Sequence, residues 1–188
     1  MNGRDGLIYE VVILAILIGF LKKGSLTHLS RTEIHYPSFI IGSFLVQALV
    51  ILLDDRFLFY KLTGDIWLTV TYLVLAFAIW ANRKIEGFTL IGLGILLNFI
   101  VIMANGGRMP VSSDAIDFIG LSHLIPTMEE GLSKHVLMDS STHFSWLGDI
   151  FPLKPPYSFK RVVVSIGDIL VTVGVARFVY IRMKKEQG

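Results

Sequence analysis

The strongest constraint on this chain is the block pattern of its apolar residues. Five runs, at 7–21, 37–53, 66–81, 88–104 and 162–181, carry very little charge and are separated by polar or charged connections. A ~30 Å hydrocarbon layer requires about 17–25 residues of apolar helix, and runs of this size fall near that length once flanking residues are borrowed. Hydrophobic residues make up 53% of the 188-residue chain and charged residues only 17%, too apolar a balance for an ordinary soluble domain. The expected fold class is therefore an all-α membrane protein with about five transmembrane helices, forming a single integral domain over 1–188.

The charges suggest an orientation. If the runs alternate in direction, Lys22, Lys23, Arg31, Arg83, Lys84, Arg182, Lys184 and Lys185 all fall on one side, which the positive-inside tendency makes cytoplasmic. The N-terminus is then outside, and the 56-residue stretch 105–160 between the fourth and fifth helices is a mixed extracytoplasmic segment. The expected location is a bacterial cytoplasmic membrane, crossed several times, with membrane lipids as partners. The first run is followed by Lys22 and Lys23 instead of a small-residue cleavage site, so it reads as a retained helix and not a secretory signal. Trp67 and Trp80 bracket the third run like an aromatic belt, and Gly92, Gly94 and Asn98 in the fourth permit close helix packing.

Composition also excludes several chemistries. A net charge of +2 is too small for nucleic-acid binding by bulk electrostatics. With no cysteine there is no disulfide, no thiolate nucleophile and no cysteine-ligated metal.

Three constellations remain as candidates. In the first, Asn105, Gly106, Gly107 and Arg108 follow the fourth run; paired glycines can expose backbone N–H groups, and Arg108 can hold a carboxylate or a lipid phosphate. The plainer alternative is a glycine C-cap beside an interfacial arginine. The second is His135, Asp139 and His143, which share one face if that segment is helical and would then suit zinc or a proton relay. Ser140, Ser141 and Thr142 favour a turn there instead, and no metal or organic cofactor is expected. In the third, Asp168 lies within the last run, where an ionised side chain needs a reason, and Asp149 lies just before it. Two carboxylates meeting in a poorly solvated site share a proton and can activate water on an amide. Alternatively, Asp168 bonds a neighbouring helix, with Asn98 as one partner, while Asp149 caps a turn.

The stretches Asn-Gly-Gly-Arg-Met-Pro-Val at 105–111, Lys-His-Val-Leu-Met at 134–138, Trp-Leu-Gly-Asp-Ile-Phe-Pro-Leu at 146–153 and Val-Ser-Ile-Gly-Asp-Ile-Leu at 164–170 resemble a family of bacterial multi-pass membrane proteins of unknown function. The likeness covers almost the whole chain and implies a topology but no activity. The last third also resembles prolipoprotein signal peptidase, an aspartic membrane enzyme: Asp149 and Asp168 stand 19 positions apart, and Gly174 matches a glycine of its last helix. Ser165 replaces the asparagine of that family, and its Gly-Asn-x-x-Asp-Arg motif is missing unless Asn105 to Arg108 stand in for part of it.

That resemblance implies catalysis by Asp149 and Asp168 on a membrane-embedded peptide or lipopeptide at the extracytoplasmic face. Asn105, Gly106, Gly107, Arg108, His135 and Ser165 would be substrate-binding residues. The competing expectation is a non-catalytic scaffold that binds lipid or a partner.

Overall fold

The computed structural model describes residues 3–53, 58–130 and 135–184. Five long helices dominate it: α1 (Gly3–Leu21), α3 (Pro37–Leu53), α4 (Leu58–Ala81), α5 (Phe88–Ala104) and α8 (Ile166–Met183), with a short α2 (Leu26–Ser30) after the first. They pack in the order α1, α8, α5, α4, α3, so α5 is central, the last helix lies between α1 and α5, and α1 and α3 are at the edges. Between α5 and α8 the chain forms two small helices, α6 (Ser113–Phe118) and α7 (Ile125–Glu129), and four three-residue strands. These are β1 (Met109–Val111), β2 (His135–Leu137), β3 (Phe151–Leu153) and β4 (Val162–Val164).

Local chemistry sets the boundaries. Pro37 opens α3, where its missing N–H costs nothing. At the end of α5, Gly106 and Gly107 adopt left-handed backbone, and the Gly107 N–H returns to the Ile102 carbonyl at 3.0 Å, closing the helix with a glycine cap. Strand β4 is Val-Val-Val, β-branched and wholly buried, and it pairs antiparallel with β3 in the register Phe151 to Val164 and Leu153 to Val162. Strands β1 and β2 run parallel, Met109 beside His135 and Val111 beside Leu137. Val111, Ala115, Ile116, Ile119 and Val163 form one core of this small module.

The fold corrects two expectations. It is not all-α, because the 105–164 region satisfies its backbone partly through paired strands. Nor is it a set of five membrane crossings: among the described residues no helix is long and apolar enough to cross a membrane. Helices α3 and α5 have 17 residues each, which is about 26 Å at 1.5 Å per residue. The apolar stretch of α1 begins only after Glu10, that of α4 after Asp65, and α8 contains Asp168, Arg177 and Arg182. The inferred multi-pass location, outside N-terminus and extracytoplasmic 105–160 segment rested on those crossings and are overturned with them. Lys185, one of the residues used for that orientation, lies outside the described residues.

Helices α5 and α8 approach closely along small residues. A Cβ on Gly174 would sit 2.7 Å from the Gly87 carbonyl oxygen, and one on Gly167 would overlap the Asn98 side chain. Gly174→Ala therefore meets backbone that cannot step aside, and should lower unfolding free energy by about 1–3 kcal/mol in denaturant titration. Gly42→Ala, where the added Cβ meets nothing within 4 Å, should be neutral or stabilising. Equal losses at the two positions would contradict the close helix contact.

Candidate functional site

The most buried acid in the 105–164 module is Asp149, 1% exposed. Its backbone extends the edge of β1: the Asp149 N–H donates to the Pro110 carbonyl at 2.8 Å, and the Ser112 N–H donates to the Asp149 carbonyl at 3.0 Å. This pairing turns the carboxylate toward β2, where Oδ2 lies 3.4 Å from Nε2 of His135. The imidazole remains partly open, its side chain 22% exposed. A buried carboxylate behind a histidine fixes the ring orientation.

Asp168 has different partners. It is the third residue of α8 and closes a capping box: its N–H donates to Ser165 Oγ at 2.9 Å, and its Oδ2 accepts from the Ser165 N–H at 3.1 Å. Asn98 of α5 completes a ring, with Nδ2 donating to Asp168 Oδ1 at 2.9 Å and Oδ1 accepting from Ser165 Oγ at 2.9 Å. Nothing in these contacts indicates the expected aspartic dyad. Asp149 faces His135, while both oxygens of Asp168 are engaged by Ser165 and Asn98. The helix begins at Ile166, so Asp168 sits in its first turn, where a carboxylate satisfies free N–H groups and complements the helix dipole. The signature Ser165-x-x-Asp168 before an apolar run was the sequence signal for this cap.

The remaining expected site residues separate in the same way. Asn105, Gly106 and Gly107 form the C-cap of α5, and Asn105 also clips the loop at 143: its Nδ2 donates to the carbonyls of Val101 (2.7 Å) and His143 (2.9 Å), and its Oδ1 accepts from the His143 N–H (3.0 Å). Arg108, half-buried, pairs with no carboxylate among the described residues. His135, Asp139 and His143 do not share a helix face, because His135 belongs to β2 and Asp139 begins a turn. Among the described residues no group of three or more ligating side chains comes together. An open cavity of about 300 Å³ lies here, lined by Asn105, Gly106, Leu137, Asp139, Thr142 and His143.

A second concentration of function-bearing groups lies at the far end of the bundle. The Ser25 N–H donates to the Met183 carbonyl at 2.7 Å, Asn82 exchanges two 2.8 Å hydrogen bonds with the backbone of His35, and Arg182 pairs with Glu86 at 2.6 Å. These ties gather the ends of α1, α2, α4 and α8. Lys22, Lys23, Arg31, Arg83, Lys84 and Lys184 are therefore neighbours, all exposed, against Glu33 as the exposed acid in these turns. Arg83 stacks on Trp80, with its guanidinium 4.2 Å from the ring centre.

The fold and its sites define a class: a helical bundle with apolar outer faces, a basic end, and a small mixed module inserted before its last helix. The chain belongs to DUF5317, a family of unknown function whose model matches residues 31–180. It is similar to an uncharacterized protein of Thermotoga maritima, 37% identical over 105 residues, which is 54% of this chain and 55% of that relative. The chain thus spans about half the length of the curated relative it matches. No solved structure matches it. Nothing in these matches supports the likeness to prolipoprotein signal peptidase.

The turn beside the cavity has a titration signature. Hydrogen bonds from the Ser141 hydroxyl and the Ser141 N–H hold the Asp139 carboxyl below its ordinary value of 3.8. A depressed folded-state value means that this carboxylate supports the turn above the ordinary value and loses that contribution as pH falls through the depressed one. Carbon-detected NMR titration should find Asp139 below 3.8, and Ser141→Ala should move it back up. An unchanged midpoint in the variant would rule out the Ser141 contacts as the cause.

Proposed function

We propose that this protein is a non-catalytic lipid-binding protein, whose apolar outer faces take acyl chains and whose basic end takes anionic headgroups. The carrying observation is the apolar surface itself. Leu14 and Leu17 of α1, Phe44 and Leu45 of α3, Trp67 and Leu73 of α4, and Leu93 and Leu96 of α5 are all more than 40% exposed. Large apolar side chains exposed in such number along several helices mark an interaction surface, since ordinary surfaces expose such residues singly. Most of the outward positions of α3 and α5 are aliphatic or aromatic, so water alone is a poor neighbour for them.

Electrostatics favours lipid over an apolar protein partner. Six exposed cations gathered at one bundle end attract an anionic phospholipid surface, at about 1 kcal/mol per cation close to it. Trp80 lies at this same end, under Arg83, where an amphipathic ring suits the headgroup level.

Flotation with vesicles tests the reading. The full chain should float with equimolar phosphatidylcholine and phosphatidylglycerol vesicles, and more weakly with phosphatidylcholine alone. Replacing Lys22, Lys23, Arg83 and Lys84 by Gln should reduce binding to the anionic vesicles at least tenfold, with little change on neutral ones. Failure of the unaltered chain to float with either vesicle would contradict lipid binding.

A further inference from the structure

At the opposite end of the bundle, residues 154–161 read Lys-Pro-Pro-Tyr-Ser-Phe-Lys-Arg. Tyr157 and Phe159 are 82% and 88% exposed, the two most exposed aromatic side chains described. Large apolar rings held almost wholly in water need an explanation, especially on backbone that is fixed.

The backbone here is fixed from several directions. Between the two rings, Ser158 is only 3% exposed and points inward. Its hydroxyl donates to Glu10 Oε1 of α1 at 3.2 Å, and the adjacent Phe159 N–H donates to the same oxygen at 2.9 Å. The Lys160 N–H donates back to Ser158 Oγ at 3.3 Å. On the other side, Lys154 donates to the Phe118 carbonyl at 3.2 Å and lies 4.0 Å above the Phe118 ring. The Tyr157 N–H closes the turn onto the Lys154 carbonyl at 2.9 Å. Glu10 and Ser158 thus hold the turn from below, while its two rings project.

The charge around the rings has one sign. Lys154, Lys160 and Arg161 flank them, and no Asp or Glu occurs from Ile150 to Gly167. The nearest acid in the contacts, Glu10, is occupied by the loop itself. Bare rings flanked by cations suit the interface of an anionic bilayer, where an aromatic ring rests at headgroup level and the cations meet phosphate.

We infer that the 154–161 loop is an interfacial anchor that inserts Tyr157 and Phe159 among the headgroups of an anionic phospholipid surface, with Lys154, Lys160 and Arg161 on the phosphates. This rests on the lipid-binding reading and adds a defined point of contact to it. The preformed turn explains why both rings are exposed: insertion then requires little further ordering.

The chain contains no cysteine, so Tyr157→Cys in the full chain can be labelled at one place with an environment-sensitive fluorophore. Vesicles of equimolar phosphatidylcholine and phosphatidylglycerol should blue-shift the label while the protein floats with them. The pair Phe159→Ala and Lys160→Gln should weaken that response at least fivefold. Neither side chain is needed for folding, since both are exposed and only the backbone of these residues is tied down. Flotation without a spectral change at 157 overturns the anchor and leaves the broader reading standing. Absence of flotation overturns both, and a shift that grows with protein concentration in the absence of vesicles assigns the loop to a second copy of the chain and overturns the anchor.

Discussion

The ring of hydrogen bonds among Ser165, Asp168 and Asn98 is the contact on which the rest of the architecture depends. It starts α8, the helix that touches both α1 and α5, and it fixes the depth at which α5 crosses it. Every polar atom in it has a partner, so a carboxylate can sit against an otherwise apolar helix without the cost of an unmatched charge. Close contact then becomes possible: Gly167, beside Asp168, leaves room for Asn98, and Gly174, about two turns further along, meets the backbone of Gly87. Residues 162–165 enter α8 directly from β4, so the same ring also positions the small module above the bundle.

Much of this was legible in the residues. The second and fourth apolar runs end within the bounds of α3 and α5, because Pro37 and the Asn105-Gly106-Gly107 cap are local signals that tertiary structure did not override. Asn98 was identifiable as a partner for Asp168 because a polar residue inside one apolar run predicts a complement in another. The start of α8 was misread, since Val162 to Val164 is apolar in either a helix or a buried strand and periodicity cannot separate three residues. The capping signature at Ser165 and Asp168 resolves that ambiguity, and it removes the reason for seeking a second aspartate beside the first.

Asp149 shows the opposite case. Nothing near it in the chain points to His135, which lies 14 positions earlier in a different strand. Their meeting follows from β1 being paired on one side by β2 and on the other by the residues around 149, a non-local arrangement of very short strands. Apolar run lengths misled in a different way. A hydrophobic block counts residues that can be buried, whereas the helix formed within it can be too short or can contain the charges at its ends. Here the same residues leave apolar faces outward and cations at one end, which is the surface pattern from which lipid binding is proposed.

Asn98 is the partner that ties Asp168, and with it the start of α8, to α5. A double-mutant cycle with Asn98→Ala and Asp168→Ala, measured by equilibrium unfolding, reads that pairing directly. A coupling of about 1–3 kcal/mol is expected for a hydrogen bond to a charged group. Additive effects of the two substitutions, with no coupling, would contradict it.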